Sequence, residues 1–198
     1  MNQLNIRRYG EGKIKLVAIH GLGSASTAWD LVRPELQRHF EFITLDLPGH
    51  GEAAMRADES MNPVAISKLI LKELEAIGIT KFHLIGNSLG GWIALEMAAA
   101  FPENVLSVTG VAPAGLWFTP KTPRNGELAI SRYLAKLTYR FAHPISKFKF
   151  LRSIGFRFVS PQWEKFSPET CAKAAIAMGG ASGYYKLWDA FLGNRFDK

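Results

Sequence analysis

At 198 residues and 22.0 kDa the chain has the length of one domain. Its 47% apolar and 21% charged content exclude disorder as the main state. A single cysteine, Cys171, excludes an internal disulfide and a thiolate zinc site. No stretch approaches the roughly 20 apolar residues of a membrane span. Glu11, Lys13 and Lys15 interrupt any leader-like run near the start, and Arg7-Arg8 matches a twin-arginine signal only as a dipeptide. The expected compartment is the cytoplasm. The net charge of +7 is local: residues 117–166 hold ten Lys/Arg against Glu127 and Glu164, so the remainder sums to −1.

The pattern alternates strand and helix up to about residue 113. Residues 4–9 read as a first strand, and 14–19 as a short buried one bounded by turn signals. A Gly/Ser loop spans 20–26, a helix 27–38 and a strand 42–45, which ends at Asp46 and a turn-rich stretch. Asn62-Pro63 is an N-cap followed by proline at the first helical position. Ile66, Leu69, Ile70, Leu74 and Ile77 then form one apolar stripe that stops at Gly78. Residues 82–85 are a strand, 86–90 a tight turn, 92–100 an Ala-rich helix and 105–111 a further strand. Strands separated by single helices predict a mostly parallel sheet with helices on both faces. From Ala112 onward helical periodicity dominates, with helices expected at 127–142, from the Ser167-Pro168-Glu169 cap to 178, and at 184–192. The division is 1–113 as an α/β core and 114–198 as a helical lid, which carries the basic stretch and its eleven aromatics.

Gly86-Asn87-Ser88-Leu89-Gly90-Gly91 carries the chemistry. It matches G-x-S-x-G between a predicted strand and a predicted helix, the context a nucleophile elbow requires. A turn this tight leaves no room for side chains at Gly86 and Gly90, and it lifts the Ser88 hydroxyl above the sheet edge. The following helix points backbone N–H groups at a developing oxyanion. His20-Gly21-Leu22-Gly23 follows the 14–19 strand, so the Leu22 N–H can aim at the same oxygen as the Leu89 N–H. His20 and Gly21 are structural in this reading. Asp46-Leu47-Pro48-Gly49-His50-Gly51 reads as a structural turn.

Together these motifs resemble the α/β-hydrolase superfamily, in its lid-bearing branch of serine esterases, C–C bond hydrolases and cofactor-free haloperoxidases. The likeness runs from about residue 4 to 113 and more loosely through the lid. It implies Ser88 as nucleophile, Leu22 and Leu89 as oxyanion donors, an acyl-enzyme formed from a carboxylic ester, no cofactor and no metal. The aromatic lid implies a largely apolar, ester-like small-molecule substrate, and no motif for nucleic acid accompanies the charge. C–C cleavage of meta-cleavage products is the nearest alternative. A non-catalytic protein of this fold, binding a ligand or a partner chain, is another.

The family's chain order is Ser, acid, His. After Ser88 the histidine available is His143, inside the lid, and no acid stands where the family places one. Asp189 and Asp197 read as solvated. The chain is therefore expected to be C-terminally incomplete, with six of eight strands and the last two strand–helix units missing. The 105–111 strand would then be left as an apolar sheet edge.

Overall fold

The computed structural model describes residues 3–55, 60–117, 126–157, 159–192 and 194–198. The chain forms two compact units, one of Met1–Thr122 with Ser182–Lys198 and one of Pro123–Ala181.

The first unit is built on five strands among the described residues: β1 (Arg7–Tyr9), β2 (Lys15–Ile19), β3 (Glu41–Leu45), β4 (Phe82–Asn87) and β5 (Val105–Val111). They lie in the order β1-β3-β2-β4-β5, with β1 antiparallel to β3 and the other pairings parallel. The expected count of six exceeds the five strand ranges read along the chain, and each of those five is a strand here. The 4–9 strand shortens to three residues. Leu4, fully buried, instead accepts from Asp46 N–H through its carbonyl (2.8 Å). β2 and β3 are buried along nearly their whole length, as central strands covered on both faces are.

The expected helix at 27–38 breaks in two: a 3-10 turn at Ser26–Trp29, then α1 (Arg33–His39). Pro34 explains the break, because it lacks the N–H that a continuous helix would use there. α2 (Pro63–Ala76) begins as the sequence predicts, with Asn62 Oδ1 accepting from Ala65 N–H at 2.8 Å. Ile66, Ile70, Leu71 and Leu74 are buried, whereas Ile77 falls past the helix end and is exposed. α3 (Leu89–Ala100) follows β4 and packs on α2, β4 and β5. Burying Ile70, Leu74, Ile93 and Met97 contributes about 1.5–3 kcal/mol each.

The division of the chain differs from the sequence-based one. It falls at 122/123 and 181/182, not after residue 113, and the last helix α8 (Tyr184–Phe191) returns to the first unit. Leu187 and Phe191 join the main core. The segment is also tied by Phe196 N–H to the Gly115 carbonyl (2.9 Å), Trp117 Nε1–H to the Asn194 carbonyl (3.1 Å) and Lys198 Nζ to Glu96 (2.6 Å). Helical spacing cannot tell which body an amphipathic helix covers, so its placement was not readable locally.

The second unit is helical: α4 (Gly126–Thr138), a 3-10 turn at Tyr139–Phe141, α5 (Ala142–Ser146), α6 (Lys149–Phe156) and α7 (Pro168–Gly180). The single helix expected over 127–142 ends early, at Thr138. α4 and α5 both pack on α7, and among the described residues the buried apolar side chains are small: Ala142, Cys171, Ala172, Ala177 and Ala181. Burial pushes the Cys171 thiol pKa up, which keeps it protonated and inert. Ser167 caps α7, accepting from Thr170 N–H at 3.0 Å. At the other end of α7 the buried Arg132 donates to the carbonyls of Met178, Gly179 (2.9 Å) and Ala181 (2.6 Å). A cation at the last carbonyls of a helix satisfies acceptors that the helix cannot, and it opposes the negative end of the dipole.

β5 lies at the sheet edge, and Leu106 and Val111 on it are exposed. Among the described residues no helix is long and apolar enough to cross a membrane.

Replacing Arg132 by Ala should lower stability by about 3 kcal/mol, since three carbonyls at the end of α7, two of them buried, lose a charged donor. Urea denaturation monitored by circular dichroism checks this, and a change under about 0.5 kcal/mol would show that Arg132 is dispensable.

Candidate active site

Ser88 sits between the last residue of β4 and the first of α3. Its backbone has φ 51° and ψ −115°, a region that L residues avoid at a cost of about 1–3 kcal/mol. Three hydrogen bonds hold it there. Ser88 N–H donates to the Val111 carbonyl (3.0 Å), and the Ser88 carbonyl accepts from Ala114 (2.8 Å) and Trp92 (3.2 Å). Asn87 Nδ2 adds a second donor to Val111 O at 3.1 Å. The turn is thus clamped by the segment leaving β5.

Two glycines permit it. A Cβ on Gly86 would stand 2.5 Å from the Gly90 carbonyl carbon and 2.6 Å from Gly91 N. A Cβ on Gly90 would run into the Ile19 carbonyl oxygen and lie 2.6 Å from that of His20. The first turn of α3 therefore rests on the end of β2. The same approach brings the 20–23 loop to the serine, where a Cβ on Gly21 would lie 3.3 Å from Ser88 Cβ. Leu89 is buried and Leu22 half-buried. Neither Leu22 N–H nor Leu89 N–H has an acceptor among the described residues. For Leu89 the reason is its place at the start of a helix.

His20 is fully buried. Its Nδ1–H donates to the Gly21 carbonyl at 2.7 Å and its Nε2 accepts from Leu47 N–H at 3.0 Å. Both ring nitrogens are thus committed to linking the loop after β2 to the loop after β3. Burial lowers the His20 pKa, outweighing Gly21 O and Asp46, so the ring stays neutral.

Asp46, at the end of β3, is a larger structural element than its turn motif suggests. Oδ1 accepts from Ser26 N–H (2.7 Å), and Oδ2 from Asn5 Nδ2 (2.7 Å) and Glu52 N–H (3.0 Å). Burial alone would raise its pKa, but these donors and the Ser26 hydroxyl together hold it below the ordinary carboxylate value. The signal available in sequence was an Asp opening a Gly-rich turn. The partners, 20 and 41 residues away, were not visible there.

The histidines are engaged away from the serine. His39 meets Glu35 (3.2 Å), His50 meets the Pro48 carbonyl (3.1 Å), His83 meets Ser107 Oγ (2.8 Å), and His143 meets Glu169 (3.3 Å) within the second unit. Among the described residues no histidine hydrogen-bonds Ser88. Asp189 and Asp197 are exposed. No three His, Cys, Asp or Glu side chains come together as a metal-binding group among the described residues.

Glu96 was not anticipated. It lies buried on α3, accepting from Trp92 Nε1–H (3.1 Å) and from Lys198 Nζ (2.6 Å). It borders a cavity of about 540 Å³ in the first unit, with Asn62, Lys68, Trp92, Arg195 and Lys198. Ser88, Leu22 and Leu89 do not line that cavity.

A mostly parallel sheet, a strand–turn–helix carrying a strained serine, and a loop from the neighbouring strand beside it define a hydrolase-type architecture. The α/β hydrolase fold family matches residues 15–160, and the chain belongs to it. The dihydrolipoyllysine-residue acetyltransferase component of the acetoin cleaving system of Pseudomonas putida is 39% identical over 107 residues, covering 54% of this chain and 29% of that protein. The pimeloyl-[acyl-carrier protein] methyl ester esterase of Hamiltonella defensa is 32% identical over 154 residues, covering 76% and 57%. Among solved structures, the N-formylmaleamic acid deformylase of Pseudomonas putida S16 superposes with a TM-score of 0.71 at 18% identity, over 96% of this chain and 70% of that one. The chain spans under two thirds of the length of both curated relatives.

Gly90→Ala should cost at least about 3 kcal/mol, because its Cβ meets backbone that cannot yield. Thermal unfolding reads this, and a variant as stable as the parent would contradict the close approach to β2. Acidification should act in two steps. The buried neutral His20 removes stability as pH falls below its unfolded pKa of about 6.5, because the unfolded state binds the extra proton. Asp46 stabilises above its unfolded pKa of about 3.9, and that contribution is lost as pH falls further, through its lower folded value. Urea midpoints at pH 7 and 5.5 should show a fall in the parent and a smaller one in His20→Gln. Equal slopes would remove His20 as the cause.

Proposed function

We propose that the chain is a serine hydrolase acting on carboxylic esters, with Ser88 as the nucleophile. The observation that carries this reading is the Ser88 backbone, held at positive φ at the mouth of α3 with the Gly21–Leu22 loop against it. Strain kept at one residue by three hydrogen bonds fits a side chain that has to be presented in one direction. The esterase activity in the name of the Hamiltonella defensa relative supports the ester as substrate class.

In this mechanism Ser88 Oγ bonds to the ester carbonyl carbon. The carbonyl electron pair moves to oxygen, where Leu22 N–H and Leu89 N–H receive the charge. Preorganised donors of this kind are worth about 10²–10³ in rate each. Collapse breaks the bond to the alcohol oxygen and leaves an acyl-enzyme on Ser88. Water then attacks the acyl carbon and releases the acid and the free serine. No metal or organic cofactor takes part. The hydroxyl proton needs an acceptor, and the described histidines are engaged elsewhere. In this chain alone the acceptor is water or a buffer base, which leaves about 10³–10⁴ of acceleration over water from the oxyanion donors and binding. The same histidine contacts favour a second reading, a non-catalytic member of the family that binds an apolar ester-like ligand.

A fluorophosphonate probe should label the chain, and Ser88→Ala should abolish labelling. Labelling that survives Ser88→Ala would sink Ser88 as nucleophile. p-Nitrophenyl esters should turn over slowly, faster with added imidazole after subtraction of the Ser88→Ala background. A vinylogous 1,5-diketone should not be cleaved; cleavage of it without ester turnover would assign C–C hydrolysis instead. No labelling and no turnover, with saturable ester binding, would establish the non-catalytic reading.

A further inference from the structure

The second unit turns an apolar helix face outward. On α6, Phe150, Leu151 and Ile154 fall within an arc of about 100°. They are 74%, 40% and 50% exposed. The opposite side of the same helix carries Ser153, Arg152 and Phe156, all half-buried, and Arg152 donates inward to the Ser146 carbonyl at 2.7 Å. Arg152 is thus turned inward while large apolar residues of the same helix meet water. The segments entering and leaving α6 extend the patch with Phe148 (63% exposed) and Val159 (74%).

Charge surrounds it. Pro123–Ala181 contains ten Lys/Arg and three Glu, the whole of the chain's +7. Two of those carboxylates are engaged within the unit: Glu164 with Lys149 (3.0 Å), and Glu169 with His143 (3.3 Å) and Lys173 (4.0 Å). Lys147 and Arg157, in the segments that enter and leave α6, are exposed. Exposed phenylalanines and aliphatic side chains on a strongly cationic unit, flanked in the chain by Lys147 and Arg157, match a surface that is apolar a few ångströms deep and anionic at its rim. That is the profile of a bilayer rich in acidic headgroups. A soluble acidic partner would account for the cations, but not for an outward Phe/Leu/Ile face of this kind.

We infer that α6 and its flanks dock the protein on an anionic membrane surface, with Phe150 and Ile154 entering the headgroup–acyl boundary and Lys147 and Arg157 on the phosphates. An eight-residue helix is about 12 Å long, so it lies in the interface and does not cross it. The inference is independent of Ser88 chemistry, since binding is measured without turnover.

The test is sedimentation of the full chain with vesicles of phosphatidylcholine alone or mixed with phosphatidylserine. Binding should be at least about tenfold stronger to the mixed vesicles and should weaken in high salt. Phe150→Ser with Ile154→Ser, and separately Lys147→Glu with Arg157→Glu, should each weaken it by about tenfold or more. Phe150→Leu should retain it, and unchanged circular dichroism keeps the comparison among folded proteins. Absence of binding to both vesicle types overturns the inference, as does binding indifferent to the Phe150/Ile154 pair. A concentration-dependent dimer that the Phe150/Ile154 pair abolishes, without vesicle binding, assigns the face to a second copy and overturns it too.

Discussion

The backbone contact between the first turn of α3 and the end of β2 is the constraint on which the site depends. Gly90 rests on the carbonyls of Ile19 and His20 with no space for a methyl group. That contact sets how far α3 advances along the sheet. It places Ser88 and the Gly21–Leu22 loop side by side, although 66 residues separate Leu22 from Ser88 in the chain. Everything else at this end of the sheet supports the same geometry. The Val111–Ala114 segment clamps the strained serine from the β5 side, and His20 and Asp46 lock the loops after β2 and β3 from the other.

Those two locks work by different physics. Asp46 is a charge taken out of water and compensated by donors aimed at it, so it favours the folded state as long as it stays ionised. His20 is kept neutral by burial, with one ring nitrogen donating and the other accepting. It joins two loops without carrying charge. A positive imidazole there would set an Nε2–H donor against the Leu47 N–H donor. Both therefore disfavour acid by the same linkage, since the unfolded chain takes up a proton at each residue more readily than the folded one, His20 near neutrality and Asp46 at lower pH.

The second unit rests on a different economy of contacts. Among the described residues its buried apolar side chains are alanines and one cysteine, small groups that let α4 and α5 come close to α7. Arg132 closes the end of α7 by polar bonds where a larger core would use packing. Large apolar side chains of this unit are turned outward, on α6 and also at Tyr133, Leu134, Leu137 and Phe141, where they cannot contribute to its interior.

Much of this was legible in the amino-acid order. The strand–helix alternation, the Asn62 and Ser167 caps and the Gly86–Gly90 turn are local features, decided by φ/ψ preference, capping and periodicity within a few residues. The resemblance to the α/β hydrolases rested on those local signatures, and the family match over residues 15–160 agrees with it. The sequence likewise marked 105–111 as an apolar edge. Tertiary structure alone decided the rest: that α8 packs with the sheet, that Glu96 meets Lys198 across 102 residues, that Asp46 is held from Asn5 and Ser26, and that α6 faces outward. Each of these depends on which surfaces meet in space. Periodicity shows that a helix has an apolar face, but what that face touches is set by the packing of the whole chain.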